Sequence, residues 1–73
     1  MNVLLNNFES GWIGLQVEMS PEEIDLLVEK LVLLKSRKLR HFHIRCGDFG
    51  ESVGVADIEF SQIDSKGGCF SIE

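Results

Sequence analysis

The chain has one proline, Pro21, and it stands in the tetrapeptide Ser20-Pro21-Glu22-Glu23, the feature that most narrows what these residues can fold into. The Ser20 hydroxyl can accept from the amide three residues on, and the Glu23 carboxylate can accept from the Ser20 amide. Pro21 has the φ of a first helical residue and no N–H to leave unpaired. A helix therefore starts at Pro21. Ile24, Leu27, Val28, Leu31 and Leu34 follow at three-and-four spacing, which predicts a helix to about Arg37 with one apolar stripe turned toward a sheet. Leu26 and Leu33 project from the side of the helix away from that stripe at 100° per residue. A single helix-on-sheet layer would leave them in water, so they are the candidates for self-association as a homodimer.

On both sides of the helix the hydrophobic period changes from 3.6 to 2. Residues 2–8 and 12–19 read as strands joined by Glu9-Ser10-Gly11, with Gly11 able to take positive φ in the turn. In the second of these, Ile13, Leu15, Val17 and Met19 alternate with Trp12, Gly14, Gln16 and Glu18, which predicts one buried face. Residues 39–45 and 54–61 read as a second hairpin linked by 46–53. Phe42, Ile44, Cys46, Ala56, Ile58 and Phe60 then turn inward, and His41, His43, Arg45, Val55, Asp57, Glu59 and Ser61 outward. Asp64 to Gly68 reads as a turn, and Cys69 to Ile72 as a short last strand. The order is ββαββ with a short fifth strand: an α+β fold with one helix packed on a mainly antiparallel sheet. The 73 residues have room for a single domain, 1–73.

Charge is distributed in blocks. Residues 1–29 hold six acids and no base, residues 30–47 hold six bases and no acid, and the remainder is acidic again, for a net charge of −5. That balance excludes a protein that coats nucleic acid. The basic block at Lys30, Lys35, Arg37, Lys38 and Arg40 reads as complementing the negative end of the helix dipole, or as a local positive patch for an acidic partner or a phosphate backbone. Met1 to Phe8 contains no Lys or Arg, so it does not read as a signal peptide. The stretch Ile24 to Leu34 is broken by Asp25, Glu29 and Lys30 and is too short to span a membrane. A cytoplasmic protein is expected, with Cys46 and Cys69 as reduced thiols, since they stand 23 positions apart with no CxxC spacing. The glycines from Gly47 to Gly54 lie between strands rather than before a helix, so they do not build an anion cradle.

The densest chemistry lies on the outward face of the second hairpin. If residue numbers across it sum to about 100, His43 faces Asp57 and His41 faces Glu59. Two imidazoles and a carboxylate can hold zinc, but such a site on an open face needs a second shell to orient the imidazoles, and the sequence offers no obvious one. No convincing nucleophile or phosphate cradle stands nearby, and the chain is short for a pocket, so catalysis is not expected. No cofactor is expected either. A recognition face fits the same residues: His41, His43, Arg45, Asp57 and Glu59, with Trp12 as an aromatic anchor on the same side.

Ser20-Pro21-Glu22-Glu23 with its Leu-rich helix, then His41-Phe42-His43-Ile44, then Gly54-Val55-Ala56-Asp57-Ile58-Glu59-Phe60, then Gly68-Cys69-Phe70-Ser71-Ile72, resembles the immunity protein 32 family of bacterial polymorphic-toxin systems. The resemblance runs from about Met19 to the end of the chain. It implies a small, non-catalytic cytoplasmic protein that binds a toxin domain and neutralises it. The alternatives are a metal-binding or metal-sensing protein using His41 and His43, and a self-associating structural module.

Overall fold

The capping box forms as its residues require. In the computed structural model, which describes residues 1–47 and 54–73, the Glu23 amide donates to Ser20 Oγ at 3.3 Å and the Ser20 amide donates to Glu23 Oε1 at 3.0 Å. Helix α1 spans Pro21–Lys35 and stops about two residues before the expected end. Arg37 takes a left-handed φ of 64°, its N–H donates to the Leu34 carbonyl, and the Lys38 N–H donates to the Leu33 carbonyl. This is a Schellman closure, with arginine where glycine is usual. The Arg37 guanidinium is in turn held by Asp64.

The strands are β1 (Asn2–Asn7), β2 (Ile13–Glu18), β3 (His41–Arg45) and β4 (Asp57–Ser61), giving the α+β order ββαββ. At the first turn Gly11 takes φ 88°, and Glu9 takes φ 62° with its amide donating to Asn7 Oδ1 at 2.9 Å. That side-chain bond supports a left-handed residue other than glycine. Most of the second hairpin's expected link, Cys46 to Val53, lies outside the described residues. Cys69 to Ile72 form no strand, and Phe70 and Ile72 are fully exposed.

Two expectations about packing need correction. One sheet was expected, but β1–β2 and β3–β4 are separate two-stranded sheets. Between them runs a groove of about 280 Å³, lined by Met1 to Leu4 on one side and by Ile44 to Cys46, Val55 and Ile58 on the other. The helix was expected to lay Ile24, Leu27, Val28, Leu31 and Leu34 on the sheet, yet Ile24, Val28 and Leu31 are exposed and, among the described residues, only Leu34, 7% exposed, is buried. The covered positions of α1 are Glu23, Leu27, Lys30, Leu33 and Leu34. The line through Glu23, Leu27, Lys30 and Leu34 is rotated by roughly 70° from the middle of the expected stripe, at 100° per residue. It falls between that stripe and the Leu26/Leu33 side, because this helix carries apolar residues on both flanks and packs mainly against β3. Likewise Ile13 and Leu15 of the first hairpin's apolar face are uncovered, while Val3, Val17 and Met19 are half-buried.

Candidate functional site

The register of the second hairpin is set by its aromatic pair. Phe42 lies opposite Phe60 and Ile44 opposite Ile58, with the two phenyl rings stacked at 4.9 Å between centroids and 10° between planes. A cross-strand aromatic pair is a favourable contact that an opposing Phe42–Ile58 arrangement would forgo. The residue numbers therefore sum to 102, not 100: His41 is opposite Ser61, His43 opposite Glu59 and Arg45 opposite Asp57. The shift is even, so parity holds for the paired residues. Phe42, Ile44, Ile58 and Phe60 are half-buried, whereas His41, Arg45, Asp57, Glu59 and Ser61 are exposed. Cys46 and Ala56, expected inward, are exposed just beyond the strands, although the Cys46 amide still donates to the Ala56 carbonyl at 3.1 Å.

This register places His43 between two carboxylates. Its Nδ1 lies 2.9 Å from Asp57 Oδ1 and 3.1 Å from Oδ2, along the diagonal of the ladder. Its Nε2 lies 3.4 Å from Glu59 Oε1. An ionised carboxylate only accepts, so Nδ1 carries the hydrogen and donates it to Asp57; in the neutral ring Nε2 is then left with a lone pair. Arg45 Nε donates to the same Asp57 Oδ1 at 3.0 Å, and Ser61 Oγ donates to Glu59 Oε2 at 3.3 Å. Desolvation is the strongest single influence on Asp57 and acts to raise its pKa. The hydrogen bonds from Arg45 and His43, together with their charges, outweigh it and hold the carboxyl below its ordinary value. The His41 ring meets the His43 ring edge-on, 5.0 Å between centroids and 88° between planes. One ligand atom each from His41, His43 and Glu59 lie within 4.8 Å of one another.

The structure thus brings His41, His43, Arg45, Asp57 and Glu59 into one cluster, as the sequence predicts, but leaves Trp12 out of it. Trp12 is 76% exposed and sits at the turn of the other hairpin, where the Phe8 amide donates to its carbonyl. Met1, at the opposite end of β1, is the residue of that hairpin beside His43. A six-residue strand, on the order of 17 Å, separates the two ends. Leu26 is exposed and lines the groove of about 360 Å³ between α1 and β3, together with Met1, Glu23, Leu27, Lys30, Phe42, His43 and Ile44. Leu33, expected in water, is half-buried because of the rotated packing of α1. Cys46 and Cys69 are both exposed, and no disulfide joins them.

The expected contact of His43 with Asp57 forms, but on the diagonal, and Glu59 rather than Asp57 stands opposite His43. The signal that could have given this register was the Phe42–Phe60 pairing, because stacking two aromatic residues across a hairpin selects one register. Among the described residues, no helix is long and apolar enough to cross a membrane. In comparisons with known proteins, no family model, no curated protein and no solved structure matches this chain.

Proposed function

We propose that this chain is a non-catalytic binding protein of the immunity type, which holds a toxin protein in the cytoplasm and neutralises it by covering its surface. The observation that carries this reading is how much apolar surface the fold leaves open. The chain exposes 6763 Å², where a compact protein of 8.2 kDa exposes about 4,500 Å². Its Cα radius of gyration is 14.2 Å, against about 11 Å for a compact chain of this length. Much of the exposed surface is large and apolar: Leu5, Ile13 and Leu15 on the first hairpin, and Ile24, Val28 and Val32 on the helix. A stable interface takes about 800 Å² from each partner, which this surface can supply.

The charged cluster on β3–β4 suits the polar rim of such an interface, where ion pairs select a partner and orient it more than they add affinity. The net charge of −5 favours encounter with a basic toxin domain. The same uncovered leucines and isoleucines also favour a second reading, association of two copies, now through Leu26 and its helical neighbours rather than through Leu33.

The test has two steps. The chain is captured with its bound protein from its own host, and that protein is expressed in cells with and without the chain. Growth arrest relieved by the parent chain, and relieved poorly by a Leu15→Asp, Val28→Asp double variant, is the expected result. A captured protein whose expression leaves growth unchanged, or recovery of the chain as a symmetric dimer and nothing else, would overturn the neutralising role.

A further inference from the structure

We propose that His41, His43 and Glu59 form a three-ligand site for a zinc-class divalent ion on the outward face of β3–β4, with Asp57 orienting His43 from behind. The inference does not depend on which partner covers the apolar surface. The donor set is the one zinc takes, two imidazoles and a carboxylate at about 2.0 to 2.2 Å. In a tetrahedron with bonds of that length, neighbouring ligand atoms stand about 3.4 Å apart. His43 Nε2 and Glu59 Oε1 already stand at 3.4 Å, which is longer than an ordinary hydrogen bond and matches one edge of such a tetrahedron. A ring nitrogen of His41 lies within 4.8 Å of a ligand atom of each of the other two residues. His41 is exposed, so a change of rotamer on its strand closes the remaining gap, at most about 1.4 Å, without moving the backbone.

What distinguishes this trio from a chance grouping of polar side chains is the second shell. A metal-bound imidazole almost always donates its other N–H to a carboxylate or carbonyl, which fixes the tautomer and aims the lone pair. His43 does this toward Asp57 at 2.9 Å, and Arg45 braces Asp57 in turn at 3.0 Å. Ser61 takes the second oxygen of Glu59 at 3.3 Å, leaving Oε1 turned to His43. The supporting residues that the sequence reading found lacking are therefore Asp57, Arg45 and Ser61. Three protein ligands leave a fourth position, open to water or to a donor from a bound partner.

The experiment is a calorimetric titration of the untagged full chain with zinc chloride, with circular dichroism on every variant to check the fold. One zinc per chain is expected. His41→Ala, which leaves the His43–Asp57 pair intact, and Glu59→Gln should each weaken binding at least about 100-fold, and Asp57→Asn about 10- to 100-fold. A Cys46→Ser, Cys69→Ser double variant should bind as the parent does. Cobalt in place of zinc should give the intense visible bands of a tetrahedral site, lost in His41→Ala. Absence of stoichiometric zinc binding overturns the proposal, as does binding that survives loss of His41 and His43 or disappears with the cysteines.

Discussion

The two hairpins are built to the same plan and end in different surroundings. Both are antiparallel pairs in which most apolar side chains share one face, with Leu4 of the first on the other. In β3–β4 that face is half-buried, its phenyl rings are stacked, and its outward side is tied together by Arg45, Asp57, His43 and Glu59. In β1–β2 Leu5, Ile13 and Leu15 remain open, and the opposite face is joined by long amide contacts such as Asn6 Nδ2 to Gln16 Oε1 at 3.5 Å. The helix makes the difference, because it packs mainly on β3. Alternation determines which residues share a face of a strand. Whether that face is covered depends on where the neighbouring element comes to rest.

The sharpest way to break the comparison is to truncate one leucine in each half. Leu34→Ala truncates the one buried hydrophobic side chain among the described residues and should cost about 2 to 4 kcal/mol, from lost transfer energy and the cavity left behind. Leu15→Ala, at a site 51% exposed, should cost less than about 0.5 kcal/mol in a single chain. Urea denaturation of both variants at low protein concentration reads the two values. A Leu15 cost approaching that of Leu34 would mean that the first hairpin is covered in solution, and the contrast between the hairpins would fail.

The aromatic residues give a smaller version of the same contrast. Phe60→Ala removes the ring stacked on Phe42 and should cost on the order of 2 kcal/mol, since the site is only half-buried. Phe8 lies over Gly14, so close that a Cβ there would stand 2.7 Å from its ring, yet it is 61% exposed. Phe8→Ala should therefore cost less than about 1 kcal/mol. Thermal melts of the two variants rank them, and an equal loss would show that Phe8 closes a core of its own.

The smallest expected effect sharpens the comparison through pH. The Asp57 carboxyl is held below its ordinary value, so the folded state favours its charged form. That contribution is complete above the unfolded-state pKa, about 4, and is lost as pH falls through the lower folded-state value. The parent should thus melt above Asp57→Asn near neutral pH, and the two should converge at about pH 2. A gap of the same size at both ends would mean that Asp57 acts by packing rather than by charge. Glu23 is likewise held below its ordinary value, first by the Ser20 backbone hydrogen bond and then by the N-terminal ammonium. It is common to both proteins and cancels in the difference.

The sequence by itself determined what is local. Ser20, Pro21 and Glu23 start the helix, because a capping box closes within four residues. Gly11 turns the first hairpin. The inward parity of Phe42, Ile44, Ile58 and Phe60 follows from period 2 alone, and so does the gathering of His41, His43, Arg45, Asp57 and Glu59 on the other face. Tertiary structure decided what depends on the rotation and reach of whole elements. The helix carries apolar residues on both flanks, so its pattern allowed several buried lines, and packing against β3 selected the one through Leu27 and Leu34. The stack of Phe42 on Phe60 chose the register, and that register puts Glu59 opposite His43 and Asp57 on the diagonal rather than the reverse. Trp12 left the cluster for the same kind of reason: strand parity is inherited from neighbours in the chain, while a shared surface requires two hairpins to join into one sheet, and a groove separates these two.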